Sequence, residues 1–242
     1  MIESFPIHTI TDILSLFLAY RYYEYLKKKD GDHVLSNKRL FILIGAAAGA
    51  LIGSRLLSAL SDWQSFINPP TLLYYYAGKT IVGALLGGII GVEITKKVVK
   101  ERTKTGDLFT LPLILGMAIG RVGCFLSGVK DGTVGNPSNL PWAMDQGDGI
   151  LRHPTSLYEI IFLIILFFVI KRLAKNKNLK SGYLFRIFTV SYLLFRFLIE
   201  FIKPGEFIVL GLTFIQVFSL VFAIYYLVEL YLFYRPIHNK KL

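Results

Sequence analysis

Apolar residues in this chain of 242 residues gather into long unbroken runs separated by short polar segments, with no sustained two-residue alternation. The runs cover 10–26, 40–60, 79–98, 108–126, 156–170, 183–202 and 208–234. A membrane span needs about 20 mainly apolar residues, fewer where neighbouring helices bury its polar positions. The pattern therefore predicts an all-α fold, a polytopic transmembrane helical bundle of seven spans forming one domain over 1–242. The first and fifth runs are short, and the last is long enough to tilt. Small residues recur every fourth position in the second and third spans, at Gly45, Gly49 and Gly53 and at Gly83, Gly87 and Gly91. Such stripes let helix backbones approach closely, so packing within the bundle is their expected role.

The polar segments set the orientation. Lys27, Lys28, Lys29, Lys38 and Arg39 lie between spans one and two; Lys96, Lys97, Lys100, Arg102 and Lys104 lie between three and four; Lys171, Arg172, Lys175, Lys177 and Lys180 lie between five and six. The alternate connections are poor in basic residues, whereas the tail after Tyr234 is basic again. Basic loops stay inside, which predicts an N-out/C-in topology. The start, Met-Ile-Glu-Ser-Phe-Pro-Ile-His-Thr, has no basic region and no small-residue cleavage site after its apolar run, so it reads as a retained span and not as a signal peptide.

Composition sharpens this picture: 54% hydrophobic and 18% charged residues leave too little polar surface to coat a soluble globule. The formal net charge of +11 suggests nucleic acid only until its distribution is read, because the basic residues sit in short loops and no basic domain exists to carry such binding. The single cysteine, Cys124, excludes an intramolecular disulfide and any cysteine-based zinc cluster. No metal-ligand spacing stands out in the long connection 127–155, and neither metal nor cofactor is expected.

Ionisable groups within spans are costly and usually mark function or pairing. Arg55 near the outer end of span two, Arg121 near that of span four and Arg196 in span six fall at one depth in the outer leaflet, with Glu200 one helical turn nearer the surface. Arg196 and Glu200 share a helical face. Guanidinium forks suit phosphate oxygens, so three arginines at headgroup depth point to a shared anion site. The plainer alternative is that each snorkels outward or pairs with a carboxylate such as Glu200 or Glu159. Arg21, Glu93 and Arg186 lie near inner ends, where pairing is cheap, and read as structural.

The longest connection, 127–155 between spans four and five, holds Lys130, Asp131, Trp142, Asp145, Asp148, Arg152 and His153 among Gly, Pro and Asn residues. This content predicts a folded outer loop or lid. His153, before Pro154, is a candidate base, though a histidine so placed is more often a hydrogen-bonding anchor.

The segments Gly120-Arg-Val-Gly-Cys-Phe-Leu-Ser-Gly128, Arg152-His-Pro-Thr-Ser-Leu-Tyr-Glu159 and Phe195-Arg-Phe-Leu-Ile-Glu200 resemble, in this order, motifs of the bacterial prolipoprotein diacylglyceryl transferases. The resemblance implies a multi-pass enzyme of the bacterial inner membrane that moves diacylglyceryl from phosphatidylglycerol to the cysteine thiol of a lipoprotein precursor peptide, releasing glycerol phosphate. It implies catalytic roles for Arg121, Arg196 and Glu200, with His153 as a candidate. It also implies substrate-binding roles for Arg55, Gly132, Tyr158, Glu159, Gln216 and Ser127.

Departures from the family pattern are equally specific. Val82 stands where the family carries a histidine often proposed as catalytic base, Cys124 and Ser127 replace asparagines of the signature, and Val129 replaces a glutamate. The family's first-span tyrosine has no clear counterpart; Asp12 is nearest in position. A valine accepts no proton, so Glu200, Asp12 or His153 would have to provide another route. The alternatives are a different phospholipid-directed transferase or a non-catalytic phospholipid-binding membrane protein. A small-anion transporter is a third class, but no inverted repeat is evident.

Overall fold

The structure, a computed structural model, describes residues 5–32, 34–62, 67–68, 78–176, 178–205 and 210–234. Lys177, most of the stretch 61–78 and the basic tail 235–242, all used in the orientation argument, lie outside them. Among the described residues there are seven α-helices: α1 Phe5–Asp30, α2 Ser36–Ser61, α3 Ile81–Val98, α4 Asp107–Ser127, α5 Thr155–Leu173, α6 Tyr183–Ile199 and α7 Phe214–Tyr234. Three stretches among the described residues are long and apolar enough to cross a membrane by length and composition: Ser36–Ser61, Asp107–Asp131 and Phe214–Leu232. Large apolar side chains such as Leu51 and Ile52 on α2, Ile165 and Phe168 on α5, and Val221 and Ile224 on α7 are exposed. Apolar surface of this extent calls for an apolar surrounding.

Local chemistry sets the helix ends. Thr80 caps α3, its hydroxyl accepting from the Gly83 amide at 3.2 Å, so this helix starts two residues after the expected 79. The expected start of the last span at 208 falls outside the described residues. Leu210 and Gly211 have φ of 53° and 75°, and α7 begins only at Phe214. Thr213 and Gln216 form a reciprocal cap: the Thr213 amide donates to Gln216 Oε1 at 2.9 Å, and the Gln216 amide to Thr213 Oγ1 at 3.2 Å.

Two close helix contacts follow from glycine. On α2 and α3, Gly45 faces Gly91, Gly49 faces Gly87 and Gly53 faces Gly83; a Cβ on Gly49 would stand 2.2 Å from the Gly87 carbonyl oxygen. The two stripes are thus a packing seam, as their spacing predicts. On α4, a Cβ at Gly123 would meet Thr11 Oγ1 at 2.1 Å and one at Gly116 would meet Ala19 at 3.3 Å, so α1 lies close along α4.

Helix α6 joins two cores. Phe188 and Tyr192 pack with Leu26, Ile114, Leu163 and Ile170 from α1, α4 and α5, whereas Leu193 packs with Leu57, Val82, Leu86 and Ala223 from α2, α3 and α7. At the end where α4 and α6 begin, Asp107 accepts from the amides of Gly182 (2.6 Å) and Phe185 (3.0 Å), Arg186 pairs with Glu229 at 3.0 Å, and Glu93 pairs with Lys96 at 3.0 Å. Arg186 and Glu93 therefore have the structural pairings expected of them.

The connection between α4 and α5 is folded. Its core is a short antiparallel pair, β1 Met144–Asp145 with β2 Leu151–Arg152. Asp145 Oδ1 accepts from the amides of Gly147, Asp148 and Gly149, and Arg152 pairs with Asp148 at 2.7 Å. The bonds from Gly147 and Gly149 hold the Asp145 carboxyl below the usual carboxylate range, and those from Arg152 do the same for Asp148. The Asn136 amide donates to the Ile202 carbonyl at 2.8 Å, tying this connection to the far end of α6.

Candidate active site

Arg121 near the end of α4, Glu159 in the second turn of α5, and Tyr192 and Arg196 on α6 converge where these helices meet the folded connection. From Asp107 to Arg121 the helix rises about 21 Å, placing this cluster far from the capped ends of α4 and α6. Glu159 Oε2 lies 2.8 Å from Arg121 Nε and 3.3 Å from Arg196 Nη1, while Oε1 accepts from the Tyr192 hydroxyl at 2.7 Å. Arg196 Nη2 pairs with Glu200 at 3.0 Å, one helical turn on. All five side chains are buried. Two guanidinium charges thus face two carboxylates, the arrangement that makes buried charge tolerable.

The pairing does not exhaust the donors. Arg196 Nε and Ser127 Oγ are buried with no hydrogen-bond partner among the described residues. Native proteins seldom leave such atoms unsatisfied unless a water, ion or ligand completes them. Lys203, just past α6, lies within electrostatic reach of Arg196, Glu200, Arg121 and Glu159; burial, reinforced by Arg196, pushes its ammonium down to about 8. No pattern along the chain marks the proximity of Lys203 to the cluster.

The other candidates have partners of their own. Arg55 Nη1 donates to the Gly78 carbonyl at 2.7 Å, whereas Arg121 and Arg196 share Glu159. His153 Nδ1 lies 3.4 Å from the Tyr158 hydroxyl, which accepts from Trp142 Nε1 at 2.7 Å, so His153 and Tyr158 anchor the connection onto α5. Gly132 closes the turn after α4 with φ of 70°, its amide donating to Val129 O at 3.0 Å. Fully buried Gln216 reaches from its cap to the Phe197 carbonyl at 3.4 Å, bracing the backbone beside Arg196. Asp12 is exposed on α1. Val82 is 1% exposed within an aliphatic cluster, so its site is shaped for a hydrocarbon side chain and not for an imidazole. A cavity of about 410 Å³ lies towards the opposite end, lined by Ile42, Glu93, Lys96, Arg186 and Tyr226 among others, and does not include the arginine cluster.

Fold and site together define an all-helical protein with apolar exterior faces and a buried, charge-paired arginine cluster near one end of its bundle. Within that class, the family model for prolipoprotein diacylglyceryl transferase matches residues 2–232, and the chain belongs to this family. It is similar to the phosphatidylglycerol–prolipoprotein diacylglyceryl transferase of Mannheimia succiniciproducens, 31% identical over 185 residues, covering 74% of this chain and 68% of the relative. The enzyme of that name from Finegoldia magna is 28% identical over 217 residues, with 88% and 85% covered. That from Campylobacter jejuni is 28% identical over 230 residues, with 90% and 83% covered.

Proposed function

We propose that the chain transfers a diacylglyceryl group from phosphatidylglycerol to the cysteine thiol of a lipoprotein precursor, at the outer face of the bacterial inner membrane. In this reading the protein is one domain of seven spans, N-out/C-in, with 127–155 as an outer lid. Cysteines introduced at Asn136 and Asn176 in a Cys124→Ser background test the topology: an impermeant thiol reagent added outside labels the first and not the second. Labelling at Asn176 overturns the orientation.

The observation that carries the proposal is the unspent buried donor Arg196 Nε, on the guanidinium that shares Glu159 with Arg121, in a member of this family. Each guanidinium has five N–H groups, so both can hold Glu159 and still present donors to a phosphodiester. As the bond from glyceryl carbon to phosphate oxygen breaks, charge gathers on the leaving glycerol phosphate. Fixed guanidinium donors stabilise that charge without reorganising. Glu159 and Glu200 orient the arginines, and Gln216 braces the turn that carries Arg196. Arg55, Gly132 and Tyr158 belong to the surrounding walls, with His153 and Tyr158 holding the lid.

Complementation of a strain depleted of its own transferase tests this. The chain is expected to restore growth, and the Arg121→Ala variant at equal abundance is not. A well-expressed chain that fails to rescue overturns the reading. The aliphatic setting of Val82 favours a second one, in which the phospholipid pocket is kept for another phospholipid-directed transferase or for non-catalytic binding.

A further inference from the structure

Beside the arginine cluster, three potential ligand side chains from three elements converge: His8 on α1, Cys124 on α4 and Asp131 in the 3-10 turn Gly128–Asp131. One ligand atom from each, an imidazole nitrogen, the thiol sulfur and a carboxylate oxygen, lies within 4.8 Å of the other two. His8 Nε2 contacts Asp131 Oδ1 directly. Cys124 is one turn past Arg121, whose Nη1 lies 3.5 Å from the sulfur.

We infer that His8, Cys124 and Asp131 form a binding site for a zinc-class divalent cation, with a fourth position open to the acceptor thiol; the role of that fourth position rests on the transferase reading above. Nitrogen, sulfur and oxygen ligands of zinc sit ~2.0–2.3 Å from the ion, hence ~3.3–3.6 Å apart in a tetrahedron. Side-chain shifts of about 1 Å, which open the direct His8–Asp131 contact and draw in the longer edges, therefore fit this triangle to one ion. A thiolate and a carboxylate with a neutral imidazole balance a divalent charge, while Arg121 and Arg196 remain matched by Glu159 and Glu200.

The surroundings hold this geometry. Gly116 and Gly123 admit α1 against α4, which brings His8 over Cys124. Thr133 Oγ1 bonds the other oxygen of Asp131 and lies 3.3 Å from Ser156 Oγ, while Thr155 donates to the Thr133 carbonyl at 2.6 Å. Partners of this kind fix the orientation of metal ligands.

The chemistry supplies what Val82 cannot. A metal-coordinated thiol is deprotonated outright, so an acceptor thiol entering the fourth position would give up its proton to water without a histidine base. Its sulfur would then attack the glyceryl carbon. The carbon–sulfur bond forms as the carbon–oxygen bond to phosphate breaks, and the electron pair leaves on the phosphate oxygen beside Arg121 and Arg196. The neutral thioether, a weaker ligand than a thiolate, then leaves the ion.

The test uses full-length protein in detergent, stripped of metal and equilibrated with zinc alone. Wild type is expected to retain about one zinc per chain, and His8→Ala, Cys124→Ser and Asp131→Asn each to weaken retention at least about tenfold. Glu24→Gln, at the other end of α1, should match wild type, and thermal unfolding identifies any variant that has failed to fold. Zinc should also protect Cys124 from alkylation, a readout that needs no variant. Retention unchanged in all three ligand variants, or negligible zinc with no protection of Cys124, overturns the site. Transfer to a lipobox peptide from phosphatidylglycerol vesicles is then measured on stripped and zinc-restored protein. Full activity without metal overturns the thiol-activating role; stoichiometric zinc without any transfer leaves the site standing and overturns the transferase reading instead.

Discussion

Glu159 places one carboxylate oxygen 2.8 Å from Arg121 Nε, joining the second turn of α5 to the last turns of α4, and the same oxygen lies 3.3 Å from Arg196 Nη1. One buried acid therefore holds two arginines contributed by different helices. Its other oxygen is taken by the buried Tyr192 hydroxyl, which leaves Glu159 little freedom to move.

Removal of that charge strands both guanidiniums. Breaking a buried ion pair from one side costs about 3–5 kcal/mol, so Glu159→Gln should lower the thermal midpoint in detergent sharply. Tyr192→Phe, which removes one hydrogen bond, should cost about 1 kcal/mol. Equal midpoints for Glu159→Gln and wild type would show that the carboxylate is not the keystone of the cluster.

The glycine seam makes a steric prediction. Gly49→Leu drives a side chain against the Gly87 carbonyl and should destabilise by about 1–3 kcal/mol or more. Gly88→Ala, whose Cβ would meet its nearest neighbour at 3.5 Å, should be close to neutral. Comparing the two thermal midpoints isolates the seam from any general intolerance of α2 and α3.

Restoring a histidine at Val82 should not restore a base. Its imidazole would be buried among Leu57, Leu86, Leu193 and Ala223. An unpartnered polar group there costs roughly 1–3 kcal/mol. Val82→His is expected to unfold at lower temperature, with turnover per folded molecule within a few-fold of wild type. A large gain in turnover would mean that the natural chain lost its chemistry with that residue.

Lys203 carries a pH signature. Its ammonium is pushed down to about 8 in the folded protein, against 10.5 for a free lysine. Between these values the unfolded chain binds more protons, so stability should rise as pH increases from about 8 towards 10.5. Phosphate affinity should move the other way, falling above about pH 8 as the positive charge is lost. In Lys203→Arg the charge persists, and binding measured across that range should be flat. An identical decline in both proteins would remove Lys203 from the site.

Much of the helical framework was legible because apolar runs need little context, and the glycine spacings on α2 and α3 reported their seam directly. Depth along the runs also singled out Arg121, Arg196 and Glu200. Tertiary relations were harder to read. Nothing local says that Glu159 serves two arginines, that Arg55 turns to Gly78, or that Val82 sits in an aliphatic cluster. The approach of His8 to Cys124 depends on Gly116 and Gly123 facing Ala19 and Thr11; small residues seven apart on α4 were the available signal, and their partner helix was not.

The most direct measurement is mass analysis of a lipobox peptide incubated with purified protein in phosphatidylglycerol vesicles. The account predicts a mass gain equal to one diacylglyceryl group on the cysteine. It also predicts at least about a tenfold slower gain for folded Arg121→Ala and Arg196→Ala, since each removes charge-assisted bonds worth roughly 1.5–3 kcal/mol, with only partial recovery in the lysine variants. An unmodified peptide with wild-type protein, or wild-type rates in both folded alanine variants, would contradict it.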